Sequence, residues 1–218
     1  MTGKTEVRLL LLPGYACTAR IWEPVLPLLP GGVHVTSLDW PRGLTPGFRH
    51  IADFTDWLGT VAGPDDFTAV AAHSMGGMAA LTLAARGRLN APIILVESFI
   101  KPPGPFFRNL LTPGCAPAIE TSVKAMLAAE GARYAPELRG ELRGSDLSGS
   151  LGSIPARVSA LYGDRGAGSG AVIKSLDWPK AVLDSVPVTA IPGSCHFPML
   201  ENPRATAAAI AEELGRAG

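Results

Sequence analysis

The strongest constraint on the fold of this chain is a repeated change of hydrophobic period. Short runs that are apolar at nearly every position alternate with stretches whose apolar residues recur at helical spacing. Continuously apolar runs suit strands covered on both faces, and strands alternating with helices assemble into a parallel sheet between two helical layers. Val7 to Leu12 opens the series and ends at Pro13-Gly14. Val33 to Leu38, Phe67 to Ala72, Pro92 to Val96, Arg157 to Tyr162 and Val188 to Ile191 continue it. The expectation is an α/β fold with a mostly parallel six-stranded sheet. A length of 218 residues suits a single domain over 1–218 with a substantial apolar core.

Helices are expected over Ala19 to Leu29, interrupted by Pro24 and Pro27, and over Ile51 to Val61, where Phe54, Trp57 and Leu58 share a face. An alanine-rich helix includes Met78 to Ala85 and stops near Gly87, and Arg204 to Leu214 closes the chain. The alternation breaks between Lys101 and Pro155. Prolines cluster there at 102, 103 and 105, and helical periodicity is modest around Ala118 to Ala129 and Pro136 to Leu142. This stretch, residues 101–155, is expected to be a small helical insertion acting as a lid.

Lysine plus arginine equals aspartate plus glutamate at 19 each, so the net charge is zero and neither nucleic acid nor an anionic membrane is favoured as a partner. Cys17, Cys115 and Cys195 are odd in number and lack the paired spacing of a zinc or redox site, which points to free thiols in a reducing compartment. The apolar run Leu9 to Leu12 is too brief for a signal-peptide core or a spanning helix. A soluble cytoplasmic protein is the expectation. No repeat or low-complexity linker divides the chain, and no sequence feature sets an oligomeric state.

The segment Phe67 to Gly77 carries the chemistry. A buried strand runs straight into a helix, with Ser74 at the junction and small residues, Ala72 and Gly76, two positions to either side. Small neighbours are needed where a sharp turn holds a serine at unfavourable φ/ψ and brings chain segments together. The hydroxyl is then presented at the carboxyl edge of the sheet, beside a helix N-terminus that favours developing negative charge. An ordinary helix N-cap serine is the plainer alternative. Of the four histidines, His34 begins a strand, His50 begins a helix and His73 adjoins the serine, where the turn directs its side chain away. His196 lies in a loop between the last strand and the last helix.

These segments resemble the α/β-hydrolases. The family's elbow is Gly-x-Ser-x-Gly, and this chain has Ala72-His73-Ser74-Met75-Gly76 followed by Gly77. Leu12-Pro13-Gly14-Tyr15 through Trp22 resembles the family's His-Gly segment with its downstream tryptophan, with Pro13 where histidine is common. Gly193-Ser194-Cys195-His196-Phe197-Pro198, continuing to Glu201 and Pro203, resembles the histidine loop, with Cys195 replacing glycine. The resemblance implies Ser74 as nucleophile, His196 as general base, and the amides of Tyr15 and Met75 as the oxyanion hole.

For the third member of the triad the family commonly uses a Gly-x-x-Asp turn after the penultimate strand. Here that turn is Gly163-Asp164-Arg165-Gly166, with glycine at the expected position and Asp164 two residues early. The other family site is the end of the strand after the nucleophile helix, occupied by Glu97; the run Glu97 to Pro102 looks like haloalkane dehalogenases and other relatives that take their acid there. A charged residue ending an apolar, doubly covered strand is costly unless paired, and a histidine would satisfy it. Glu97 is preferred and Asp164 is the alternative; a salt bridge from Glu97 to Lys101 or Arg108, and a loop cap by Asp164, are the structural readings.

The implied activity is hydrolysis of a small to medium carboxylic ester through an acyl-enzyme, with lactone, thioester and amide as related substrates, without metal or cofactor. A serine at position 74 excludes the alkyl-halide displacement of the dehalogenases, which needs an aspartate. Phe99, Ile100, Phe106, Phe107, Leu110 and Met126 are candidates to line an apolar substrate site, with Tyr15 and Met199 approaching from the sides; each is equally suited to the core. Hydroxynitrile lyases and cofactor-free dioxygenases share the scaffold, and a non-catalytic small-molecule binder is the reading from another class.

Overall fold

The computed structural model describes residues 6–217. Six strands, β1 (Val7–Leu12), β2 (Val33–Ser37), β3 (Ala69–His73), β4 (Ile93–Val96), β5 (Val158–Gly163) and β6 (Val188–Ile191), form one sheet in the order β2-β1-β3-β4-β5-β6, with every pair parallel. Parity along the strands explains their unbroken apolar sequences. Leu10, Leu12, Val70, Ala72, Ile93, Leu95 and Ala160 pack into a core on one face, while Leu9, Leu11, Ala69, Ala71, Ile94, Val96 and Leu161 pack into a second core on the other. Successive side chains of a strand point to opposite faces, and both faces are covered here.

The first core is closed by helices α1 (Ile51–Val61) and α2 (Met75–Ala85), through Phe54, Leu58, Met78 and Leu81. Helix α2 is buried nearly all round and carries Gly76, Gly77, Ala79 and Ala80, whose small size lets it lie close to the sheet. The second core is closed by Trp22 and by Ile210 and Leu214 of the final helix.

The insertion after β4 contains a short turn of 3-10 helix at Pro105–Phe107, then α3 (Pro117–Gly131), α4 (Pro136–Gly144) and a second 3-10 stretch at Ser148–Ser153. Helix α4 is fastened to the start of α1. Glu137 pairs with Arg49 at 2.7 Å, and Glu141 accepts from the Ile51 amide at 3.1 Å and lies 3.2 Å from His50 Nδ1. Helices α5 (Ser169–Leu176) and α6 (Lys180–Ser185) then lead to β6, and α7 (Pro198–Glu201) and α8 (Pro203–Ala217) follow it. No helix among the described residues is long and apolar enough to cross a membrane.

Two expectations need correction. The helix over Ala19 to Leu29 is replaced by two 3-10 turns, Ala19–Trp22 and Leu26–Leu28, because Pro24 and Pro27 withhold the amides a continuous α-helix requires. Helices α5 and α6 went unforeseen. They are short, and the first follows the run Gly166-Ala167-Gly168 and ends at Asp177 in the left-handed region, φ 50°.

The chain order reverses between β1 and β3: β1 leads outward to β2, and the chain then returns to β3 on the other side. The loops leaving the carboxyl ends of β1 and β3 therefore diverge, opening a crevice of the kind where α/β sheets bind ligands. Register aligns Leu12 with Ala72 and His73 with Val96, so the segments starting at Pro13, Ser74 and Glu97 emerge side by side.

Candidate active site

Ser74 sits between β3 and α2 with φ 52° and ψ −121°, a backbone state that non-glycine residues seldom adopt. Its neighbours have no room to grow. A Cβ at Gly76 would lie 2.6 Å from the Pro13 carbonyl oxygen, and one at Gly14 would lie 2.9 Å from Ser74 Cβ. Ala16, Glu97 and Arg165 also have positive φ, so four of the five such non-glycine residues described follow strand ends at this edge of the sheet, the fifth being Asp177 at the end of α5. The amide of Met75, the first residue of α2, has no carbonyl one turn back within the helix to receive it.

His196 is held from several sides. Its own amide donates to the Leu110 carbonyl at 3.1 Å, its carbonyl accepts from His73 Nε2 at 2.8 Å, and its ring lies parallel to Phe99 with centroids 6.4 Å apart. The adjoining Cys195 amide donates to Glu201 Oε2 at 2.8 Å, while Glu201 Oε1 accepts from the amide and hydroxyl of Thr112 at 2.7 and 2.8 Å. Glu201 thereby ties the histidine loop to the insertion. The His73 ring must carry its proton on Nε2 to meet the carbonyl, which leaves Nδ1 bare and without a partner among the described residues. Burial first, and then the neighbouring His196, hold the His73 pKa well below its ordinary value of 6.5.

Glu97 is fully buried directly after β4. It lies 3.3 Å, through Oε2, from His196 Nδ1, accepts from the Gly163 amide at 2.7 Å, and forms a two-pronged pair with Arg165 at 2.6 and 2.7 Å. The guanidinium is itself nearly buried and stacks 4.7 Å above the Phe107 ring. The ion pair of Glu97 is with Arg165 and not with Lys101, which lies 3.6 Å from the Asp177 carboxylate. Asp164 is brought elsewhere: its Oδ1 accepts from the amides of Gly166 and Gly193, both at 2.8 Å, as a loop cap.

Ser74 and His196 border one cavity of about 340 Å³ together with Tyr15, Leu110, Leu127 and Phe197. No hydrogen bond joins the two side chains directly. Of the residues expected to line or flank a substrate site, Leu110 and Tyr15 border this cavity. Phe99, Phe106 and Phe107 instead pack on one another, with Phe99 and Phe107 also against Tyr162, because this aromatic segment walls off the Glu97–Arg165 pair. Ile100 and Met199 are fully buried core residues, and Met126 faces a separate surface hollow beside Thr18 and Ile21. Arg139, Leu142 and Arg143 of α4 line the cavity and were not foreseen from the sequence. Among the described residues, no three His, Cys, Asp or Glu side chains converge to hold a metal ion.

The sequence model of the alpha/beta hydrolase family matches residues 9–209. The chain belongs to this family. Solved structures agree on the fold of this α/β-hydrolase. A membrane phospholipase A described as a bacterial virulence factor superposes with a TM-score of 0.73 at 19% identity, covering 99% of this chain and 80% of its own. VinJ gives 0.72 at 15% identity, with 100% and 93% covered, and carboxylesterase CesB from Bacillus subtilis gives 0.64 at 14%, with 95% and 83% covered. A comparison with curated protein sequences returns no significant match.

Proposed function

We propose that this α/β-hydrolase is a serine esterase that cleaves a small to medium carboxylic ester through an acyl-enzyme. The observation that carries the reading is the convergence of a strained serine and a carboxylate-contacted histidine on one cavity. Lipolytic and esterolytic enzymes among the structural neighbours support it.

In this mechanism Glu97 keeps the His196 proton on Nδ1, leaving Nε2 free to accept. His196 Nε2 takes the Ser74 hydroxyl proton as Oγ attacks the ester carbonyl, and the tetrahedral oxyanion forms against the amides of Tyr15 and Met75. The imidazolium then gives its proton to the departing alkoxide, leaving an acyl ester on Ser74. Water, deprotonated by the same imidazole, attacks this ester and releases the acid and the free serine. Hydrogen bonds between a nucleophile and its base commonly tighten only when substrate binds, so the reading does not require a direct contact between Ser74 and His196 beforehand.

A panel of p-nitrophenyl esters, lactones and thioesters of graded chain length, run with the parent protein and Ser74→Ala, tests the proposal. Ester turnover that disappears in the variant is expected. A folded parent inactive on the whole panel, or a Ser74→Ala protein that retains turnover, would be incompatible with it.

A further inference from the structure

Helix α4 contains a tandem repeat, Glu137-Leu138-Arg139-Gly140 followed by Glu141-Leu142-Arg143-Gly144. A four-residue repeat on a helix places like residues along one stripe. The glutamate stripe is engaged by Arg49 and His50, the two residues leading into α1. The arginine stripe lies on the cavity wall, where Arg139 donates to the uncharged Tyr15 hydroxyl at 2.8 Å and Arg143 has no carboxylate partner among the described residues.

Among the described residues, no acidic side chain borders the cavity to balance them. Glu97 is sealed behind His196 and paired with Arg165, and Glu130 is paired with Arg42 and Arg133. The nucleophile therefore shares its cavity with two uncompensated guanidiniums, groups whose planar donor forks suit carboxylate and phosphate oxygens.

Resting on the esterase reading, we propose that Arg139 and Arg143 select a substrate carrying an anionic group, carboxylate or phosphate, on the acyl chain or the leaving group beyond the scissile bond. Cavity walls such as Leu110, Leu127 and Leu142 accept the intervening apolar carbons. Arg139 also braces the Tyr15 ring, so Gln is the replacement of choice there because it keeps a donor for the hydroxyl.

The test compares kcat/KM within two matched pairs: p-nitrophenyl hydrogen adipate against p-nitrophenyl hexanoate, and 4-acetoxybenzoate against its methyl ester. A preference for the anion of about tenfold or more in at least one pair is expected, declining as salt is raised. It should fall to about parity in Arg139→Gln/Arg143→Gln, reverse in Arg143→Glu, and persist in Lys180→Gln, which removes an exposed charge on α6 that does not line the cavity. Calorimetry of monomethyl adipate and butyl phosphate with Ser74→Ala separates carboxylate from phosphate without requiring turnover. Anion binding that survives in a protein unable to cleave any ester overturns the esterase reading alone. Absence of anion preference in both pairs, or a preference that outlasts loss of both arginines, overturns this one.

Discussion

Arg165 grips both oxygens of Glu97, Nη1 on Oε1 at 2.6 Å and Nη2 on Oε2 at 2.7 Å, and Oε2 also lies 3.3 Å from the His196 imidazole. One buried carboxylate thus serves an arginine and a histidine at once. A buried charge left without its partner is destabilising by about 3–5 kcal/mol. Arg165→Met should lower the free energy of unfolding by about that amount, read from urea denaturation. A loss under about 1 kcal/mol would show that the pair is of little structural consequence.

The two acids should differ sharply in turnover. Asp164 caps a loop through two glycine amides and does not approach His196. Glu97→Gln is expected to reduce kcat/KM by about 10²–10⁴-fold, since an imidazole lacking its carboxylate loses both tautomer control and stabilisation of the imidazolium. Asp164→Asn should remain within about threefold of the parent, being remote from the reacting groups. Circular dichroism of both variants checks that folding is retained, and the reverse ranking would assign the acid to Asp164.

His73 gives the protein an acid sensitivity with a definite sign. Its folded pKa lies below the unfolded value, so the unfolded chain binds the extra proton and stability falls as pH drops below the ordinary value of 6.5. Between about pH 6.5 and about pH 5 one such proton accounts for up to about 2 kcal/mol. His73→Gln, which keeps a donor for the His196 carbonyl, should lose up to that much less stability over this interval. Identical pH slopes for both proteins in chemical denaturation would contradict this origin.

The three thiols should react unequally. Burial pushes the Cys17 pKa up to about 12 and that of Cys195 up to about 11. Cys115 is only partly enclosed. Titration of the native protein with Ellman's reagent near neutral pH should therefore modify Cys115 first, with Cys17 and Cys195 reacting only on denaturation. Rapid native reaction of Cys17, which lies on the cavity wall, would show that this wall opens.

The strands were legible in the sequence because burial on both faces leaves no polar position to disguise them, and Glu97 stood out as a charge ending such a run. The turn at Ser74 announced itself through small neighbours that close packing demands. Arg165 did not, because its contact with Glu97 depends on β4 and β5 being adjacent and in register, which no local pattern encodes. The cavity wall was obscured for a related reason. The aromatic run from Phe99 to Phe107 has the composition of a substrate site but packs as the cover of a buried ion pair, whereas the polar helix bearing Arg139 and Arg143 borders the cavity that holds Ser74. Helical periodicity identifies faces without telling which one meets a cavity.

The most direct measurement is mass-spectrometric mapping after reaction with a p-nitrophenyl alkylphosphonate, which phosphonylates only an activated nucleophile. The account predicts one stable adduct, on Ser74, absent from Ser74→Ala and strongly slowed in His196→Ala. A folded protein that takes up no phosphonate, or takes it up on another residue, would contradict it.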